Sequence, residues 1–192
     1  GMDSMAITDH GVMYGAVDFY KKAKARGIKP IIGCECYLAS RGRKDKVHAL
    51  DSERYHLVLL CENATGYQNL ISMVSKSWTE GFYTKPRIDR ELLEKYHEGI
   101  IALSACLAGE IPRALMADDY ERAKEMALWY NNVFGQGNFF LELQNHGIRE
   151  QKQIEPMLIR LSKETGIPLV ATNDTHYVRK EDSKIQQVLI CI

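Results

Sequence analysis

Ile167-Pro168-Leu169-Val170-Ala171-Thr172-Asn173-Asp174-Thr175-His176 is the stretch on which the fold turns. Its first half is a nearly unbroken apolar run behind Gly166, the pattern of a strand covered on both faces. The run then gives way to ion-binding side chains. In extended backbone Asp174 and His176 lie two apart and point to the same side, so they can bind one cation or bridge two. Buried strands that end in such residues belong to parallel α/β folds, whose working groups gather where the strands end.

Working outward, the same unit recurs along the chain. Strand patterns cover Met5 to Thr8, Ile31 to Leu38, Tyr55 to Cys61, Gly99 to Leu103 and Phe139 to Leu143. Helical periods separate them: Tyr14 to Arg26 closed by Gly27, Tyr67 to Trp78, Arg90 to Tyr96 capped by Asp89, and Pro112 to Met116. A long helix capped by Asp118 or Asp119 runs through Phe134, another covers Arg149 to Thr165, and Asp182 onward is helical. Arg41 to Ser52, with Arg41, Arg43, Lys44, Lys46 and His48, is a polar, basic loop, read chiefly as a solvated face. This alternation predicts a parallel sheet covered by helices. No Gly-x-Gly-x-x-Gly phosphate loop occurs, which favours barrel-like closure over a doubly wound sheet.

The 192 residues suit one α/β domain, here taken as residues 1–192. Lys plus Arg balance Asp plus Glu, 25 against 25, so any grip on nucleic acid is confined to a patch or lies elsewhere. The five cysteines have no disulfide-framework spacing, and no apolar run is long enough to span a bilayer. Reduced thiols in a cytoplasm follow as the expectation. Both ends stop beside apolar segments and read as cut from a larger unit.

Applied position by position, the strand-end rule selects His10 after Thr8-Asp9, Glu35 in Gly33-Cys34-Glu35-Cys36, Cys106 after Ser104-Ala105, and Asp174 with His176. Imidazole, carboxylate and thiolate together suit zinc, manganese or iron better than calcium or magnesium. Taken singly, each has a plain alternative: a satisfied loop histidine, a rim carboxylate, a buried thiol. If Glu35 faces the rim, Cys34 and Cys36 face the helices and are packing. The rule argues against His56, which opens its strand, and leaves His146 eligible, with Glu142 as a supporting residue. His48 and His97 lie in polar surroundings and are read as solvated.

Thr8-Asp9-His10-Gly11, Lys29-Pro30-Ile31-Ile32-Gly33-Cys34-Glu35, Tyr55-His56-Leu57, Ser104-Ala105-Cys106-Leu107-Ala108-Gly109 and Asn173-Asp174-Thr175-His176-Tyr177 resemble, in order, the motifs of the PHP (polymerase and histidinol phosphatase) domain. Glu80-Gly81-Phe82-Tyr83 and Ala127-Leu128-Trp129-Tyr130 resemble the version carried by C-family bacterial replicative polymerases, the DNA polymerase III alpha subunits. The resemblance implies a distorted (β/α)7 barrel, here without its first strand and that strand's His-x-His pair. It implies metal ligands His10, Glu35, His56, Cys106, Asp174 and His176, with Glu35, Asp174 and His176 catalytic, and it demotes His146 to a neighbour. It further implies metal-assisted 3′-5′ exonuclease chemistry, Asp9 orienting His10, and the basic loop as a possible phosphate guide. The implied parent is a magnesium-dependent DNA-directed DNA polymerase working with DNA, a sliding clamp and a proofreading exonuclease subunit. Two alternatives stay open: a scaffold that has lost catalysis, and a free-standing PHP phosphatase.

Overall fold

The computed structural model describes residues 1–191. In chain order its elements are β1 (Ser4–Ile7), α1 (Ala16–Lys24), β2 (Lys29–Ala39), α2 (His48–Asp51), β3 (Arg54–Cys61), α3 (Ala64–Thr79), β4 (Arg87–Ile88) and α4 (Arg90–Tyr96). There follow β5 (Ile100–Leu103), α5 (Glu110–Met116), α6 (Tyr120–Phe134), β6 (Phe139–Leu143), α7 (Arg149–Thr165), β7 (Leu169–Ala171), a 3₁₀ turn (Lys180–Asp182) and α8 (Ser183–Ile190). Asn63, Asp89 and Asp119 each accept a backbone N–H of the helix they precede, from Gly66, Leu92 and Arg122. Asp119 is therefore the cap of α6, and Asp118 stands before it with a positive φ of 58°.

One seven-stranded sheet runs β1-β2-β3-β5-β6-β7, with β4 on the far part of β2. It curls into a half-barrel. The expectation of an all-parallel sheet is corrected: β3 runs antiparallel to both β2 and β5, while the β1–β2, β2–β4, β5–β6 and β6–β7 pairs are parallel. The reason lies in the 40–53 connection. That segment is polar and holds only the single-turn α2, so it has no apolar helical face to lay across the sheet in a crossover. An apolar run reads the same in either direction, and hydropathy alone cannot show the reversal.

Alternation sorts each strand into two faces. Cys34, Cys36 and Leu38 of β2, with Leu57 and Leu59 of β3, pack outward against Leu70, Met73, Leu92 and Leu93 in the main core. The Cys-x-Cys pair is thus packing, as expected. Glu35 and Tyr37 point the other way, beside Val58 and His56, their register partners across β3. Val58, Leu103 and Ala105 form a second, small apolar cluster on that inner face.

The 41–52 loop is fastened by its arginines, while Lys44, Lys46 and His48 are exposed, as a solvated face requires. Arg43 is buried and contacts Glu80 (2.7 Å), Asp89 (3.0 Å) and Glu91 (2.9 Å). Arg41 grips Asp51 through two bonds of 2.9 and 2.7 Å. Arg87 of β4 is fully buried and donates to the carbonyls of Gly81, Asp51, Arg43 and Asp45. The arginines expected to face solvent or guide phosphates are therefore tied into the fold.

Arg87→Leu removes the donor from three buried carbonyl groups and a fourth that is half-buried, and we expect a loss of about 3 kcal/mol in urea unfolding. A second expectation concerns acid. The Arg41 guanidinium holds the buried Asp51 carboxyl down to about 2. An unfolded Asp titrates near ~3.9. Asp51 therefore contributes its full stability above roughly pH 4 and loses it as pH falls through about 2. Urea midpoints measured across that window should fall less steeply in Asp51→Asn than in the wild type.

Candidate metal centre

His10 reaches the rim because the β1–β2 pairing continues past β1. Glu35 N–H donates to Asp9 O at 3.1 Å and Gly11 N–H to Glu35 O at 2.9 Å. Gly11 turns the chain at φ +66°, and a Cβ there would meet Pro86 Cγ at 2.9 Å, so only glycine suits this close turn. Glu35 comes from the inner face of β2. His56, third residue of β3, stands opposite Tyr37, and its N–H donates to Ala108 O at 3.0 Å. Because β3 is reversed, its beginning lies at the rim where β2 ends. The strand-end rule rejected His56 because it took β3 to be parallel.

Cys106 sits in the Ser104–Gly109 turn, closed so tightly that a Cβ on Gly109 would lie 2.1 Å from Ser104 O. Asp174 and His176 follow β7. Ala105 (φ 64°) and Asp174 (φ 44°) are both non-glycine residues in the left-handed region, which costs backbone energy.

These turns bring the sequence-selected residues together. Ligand atoms of His10, Glu35 and His56 lie within 4.8 Å of one another, an arrangement that could hold a metal ion. Buried Glu35 Oε1 is 3.2 Å from His10 Nδ1 and also touches His56 Nδ1. Neither ring N–H is aligned for a hydrogen bond, so this oxygen keeps an unspent lone pair. Cys106 Sγ is 3.6 Å from His56 Nδ1. His10 Nε2 faces His176 Nε2 at 3.4 Å, and His176 Nδ1 is 2.8 Å from Asp174 O. The Asp174 carboxylate lies 3.8 Å from His176 Nδ1.

Burial opposes charge on Glu35, yet the two imidazoles outweigh it and hold the carboxyl at about 2. The Glu35 carboxylate beside it raises the pKa of His10 against burial. Burial pushes the Cys106 thiol up to about 11, so a bound cation would have to displace its proton.

A divalent ion fits this donor set. A buried carboxylate oxygen without a hydrogen bond, beside two imidazole nitrogens, is costly unless a cation takes its lone pair. On the other edge of the His10 ring, His10 Nε2 and His176 Nε2, 3.4 Å apart, are a second pair of nitrogen donors that could hold an ion.

Other expectations were met or corrected nearby. His146 has both ring nitrogens engaged, Nδ1 with Gln151 Nε2 at 2.9 Å and Nε2 with Asn173 O at 2.7 Å. It steadies the segment before Asp174 as a neighbour. Asp9 contributes its backbone carbonyl, to Glu35 N–H and the Cys34 thiol, and makes no carboxylate hydrogen bond to His10. His97 is partly exposed, with its Nδ1 2.8 Å from Glu94 O. Glu142 is buried and accepts from Thr172 Oγ1 at 2.5 Å, while its N–H donates to Ser104 Oγ at 2.8 Å. It thereby ties the Cys106 turn to the strand that precedes Asp174. Tyr37 went unnoticed in the sequence: its ring stands 6.5 Å from His10 and 5.3 Å from His56. Its position two residues after Glu35 on one strand face is the signal that could have revealed it.

Residues 1–146 match the PHP domain family, and the chain belongs to that family. Over its length the chain is 49% identical to DNA polymerase III subunit alpha of Borreliella burgdorferi, covering 100% of this chain and 17% of that protein. It is 48% identical to the Treponema pallidum protein of the same name, covering 100% and 16%. It is likewise 48% identical to that of Thermus aquaticus, covering 98% and 16%. The chain thus spans about a sixth of the length of these relatives. Among solved structures, a candidate metal-dependent phosphoesterase from Bifidobacterium adolescentis superposes with a TM-score of 0.56 at 11% identity, covering 99% of this chain and 86% of its own. An amidohydrolase from Chromobacterium violaceum, solved with bound sulfate and no metal, gives 0.52 at 14%, covering 91% and 77%. Both likenesses concern the fold. Asp174 and His176 lie beyond the matched residues 1–146, yet β7 carries them to the same rim.

Glu35→Gln keeps the shape of the side chain and removes its charge. We expect it to weaken zinc or manganese binding at least about tenfold in equilibrium dialysis. Unchanged affinity would remove Glu35 from the centre.

Proposed function

We propose that residues 1–192 form the PHP domain of a DNA polymerase III alpha subunit, and that its rim hydrolyses phosphodiester bonds at the 3′ end of a DNA strand. The observation that carries this reading is the buried Glu35 oxygen, unpaired and flanked by the imidazoles of His10 and His56. His10, Glu35, His56, Cys106, Asp174 and His176 are the proposed ligands, and the mixed N, O and S donor set suits zinc, manganese or iron. Bound there, such an ion supplies a water of lowered pKa and polarises a phosphoryl oxygen.

The residues themselves do the positioning. Glu35 and Asp174 provide negative charge from opposite ends of the sheet, while His10 and His176 stand ring to ring between them. His56 is pinned by its backbone bond to Ala108. Glu142, through Thr172 and Ser104, holds the Cys106 and Asp174 segments at a fixed separation. We further propose, from the identity to the polymerase relatives, that the whole protein is a magnesium-dependent DNA polymerase of the cytoplasm. Its proposed partners are DNA, a sliding clamp and a proofreading exonuclease subunit. No helix among the described residues is long and apolar enough to cross a membrane.

The test uses the full-length protein, a 3′-labelled single strand, and chelation followed by re-addition of zinc or manganese. Asp174→Ala should slow release of the 3′ nucleotide by about 100-fold or more, beyond the 10–100-fold typical of groups outside the metal's own ligands. Primer extension should be preserved. Strand degradation that survives both chelation and Asp174→Ala would refute the nuclease. Absence of degradation in the metal-loaded wild type would favour a scaffold.

A further inference from the structure

Next to the rim, on the side of His10, two aromatic rings and two cations remain that the metal centre does not use. Trp78 and Phe82 stack with centroids 5.5 Å apart and planes at 23°. They are 43% and 45% exposed, although rings of this size gain most by burial. The pair is anchored. Trp78 Nε1 donates to Gly11 O at 2.9 Å, and Gly11 directly follows His10. The same Gly11 turn lies against Pro86 and Tyr37.

Lys85, beside Pro86, is exposed and places Nζ 5.8 Å from the Tyr37 ring centroid. Arg54 places its guanidinium carbon 5.7 Å from that centroid. It sits two residues before His56, hence on the same face of β3. Neither cation forms an ion pair among the described residues. Arg54 Nε is buried without a partner, and its Nη1 donates only to Ser52 O at 3.3 Å. Arg41, Arg43 and Arg87, by contrast, are fully occupied, and the nearby Glu80 is neutralised by Arg43 and Lys76.

Exposed stacking faces beside unneutralised cations are the recognition elements of single-stranded nucleic acid, whose bases are free to stack and whose phosphates track the charge. A duplex keeps its base faces covered and could use only the cations. We propose that Trp78, Phe82, Lys85 and Arg54 form a docking track for the 3′-terminal nucleotides of a single strand. The ring pair stacks a base, and the cations take phosphates and lead the last linkage toward His10, Glu35 and His56. This rests on the phosphodiesterase reading for the purpose of the track, though not for the binding itself.

Cross-linking tests the track without catalysis. A single-stranded oligonucleotide ending in 4-thiothymidine is irradiated with the full-length protein in chelator, and the adducts are mapped by mass spectrometry. Adducts should fall between Trp78 and Lys85. Phe82→Ser should lower their yield about fivefold or more, as for loss of one stacked base, and Lys85→Ala should lower it and flatten its dependence on salt, as for loss of one phosphate contact. Trp78→Phe keeps a ring and should retain the adduct, which separates stacking from damage to the Gly11 turn. The track is overturned by a map with no adduct in this segment, by yields indifferent to both substitutions, or by equal yields from a fully paired 3′ end. The readout needs neither metal nor cleavage. An adduct on a protein that hydrolyses nothing would sink the nuclease and leave the track standing.

Discussion

The reversed direction of β3 is the constraint on which the rest of the centre depends. Six of the seven strands bring their carboxyl ends toward one rim, and β3 brings its beginning there instead. His56, near the start of β3, is thereby placed at the rim. There it sits beside Tyr37 and touches Glu35. The polar 40–53 connection makes this possible because it need not cover the sheet. That freedom creates a need of its own: a loop rich in charge must be fastened. Arg87 fastens it from within the core by its carbonyls, and Arg43 does so by carboxylates from three directions.

The same chain of cause separates two kinds of charged residue that look alike in the sequence. Arg43 and Arg87 are surrounded by acceptors, and their positive charge is spent on the fold. Glu35 is surrounded by imidazoles that stabilise its charge without closing a hydrogen bond to Oε1. One arrangement is complete as it stands. The other gathers a carboxylate and two imidazoles within reach of one point, an arrangement that could hold a cation.

Much of this was legible beforehand. Asp174 and His176 at a spacing of two, His10 after a short strand, Glu35 flanked by outward cysteines, and the caps Asp89 and Asp119 all follow from periodicity and local chemistry. His56 did not follow, since strand direction leaves no trace in an apolar run; only the family motif retained it. The basic loop was also misleading. Its arginines gave no local hint of their partners, because Glu80, Asp89 and Glu91 lie some forty residues downstream and β4 is only two residues long. Tyr37 and the Trp78–Phe82 pair escaped for a similar reason, as aromatic residues at strand and helix spacing ordinarily denote core.

The centre also carries backbone strain, and where that strain sits is informative. Ala105 and Asp174 adopt left-handed conformations that L-residues avoid, each in a turn that delivers a proposed ligand. Such turns persist only when their surroundings over-determine them. Here the restraint is a single buried residue, Glu142, acting through its carboxylate on one side and its backbone N–H on the other. Glu142 receives Thr172 on one side, two residues before Asp174, and is held by Ser104 on the other, two residues before Cys106. Burial raises its pKa, and Thr172 and Gln144 both donate to its Oε1, which offsets part of that cost. The two strained turns are thus braced against each other through the end of β6. Cys106 and Asp174, far apart along the chain, keep a fixed spacing because neither turn can relax without breaking the bonds that Glu142 makes to both.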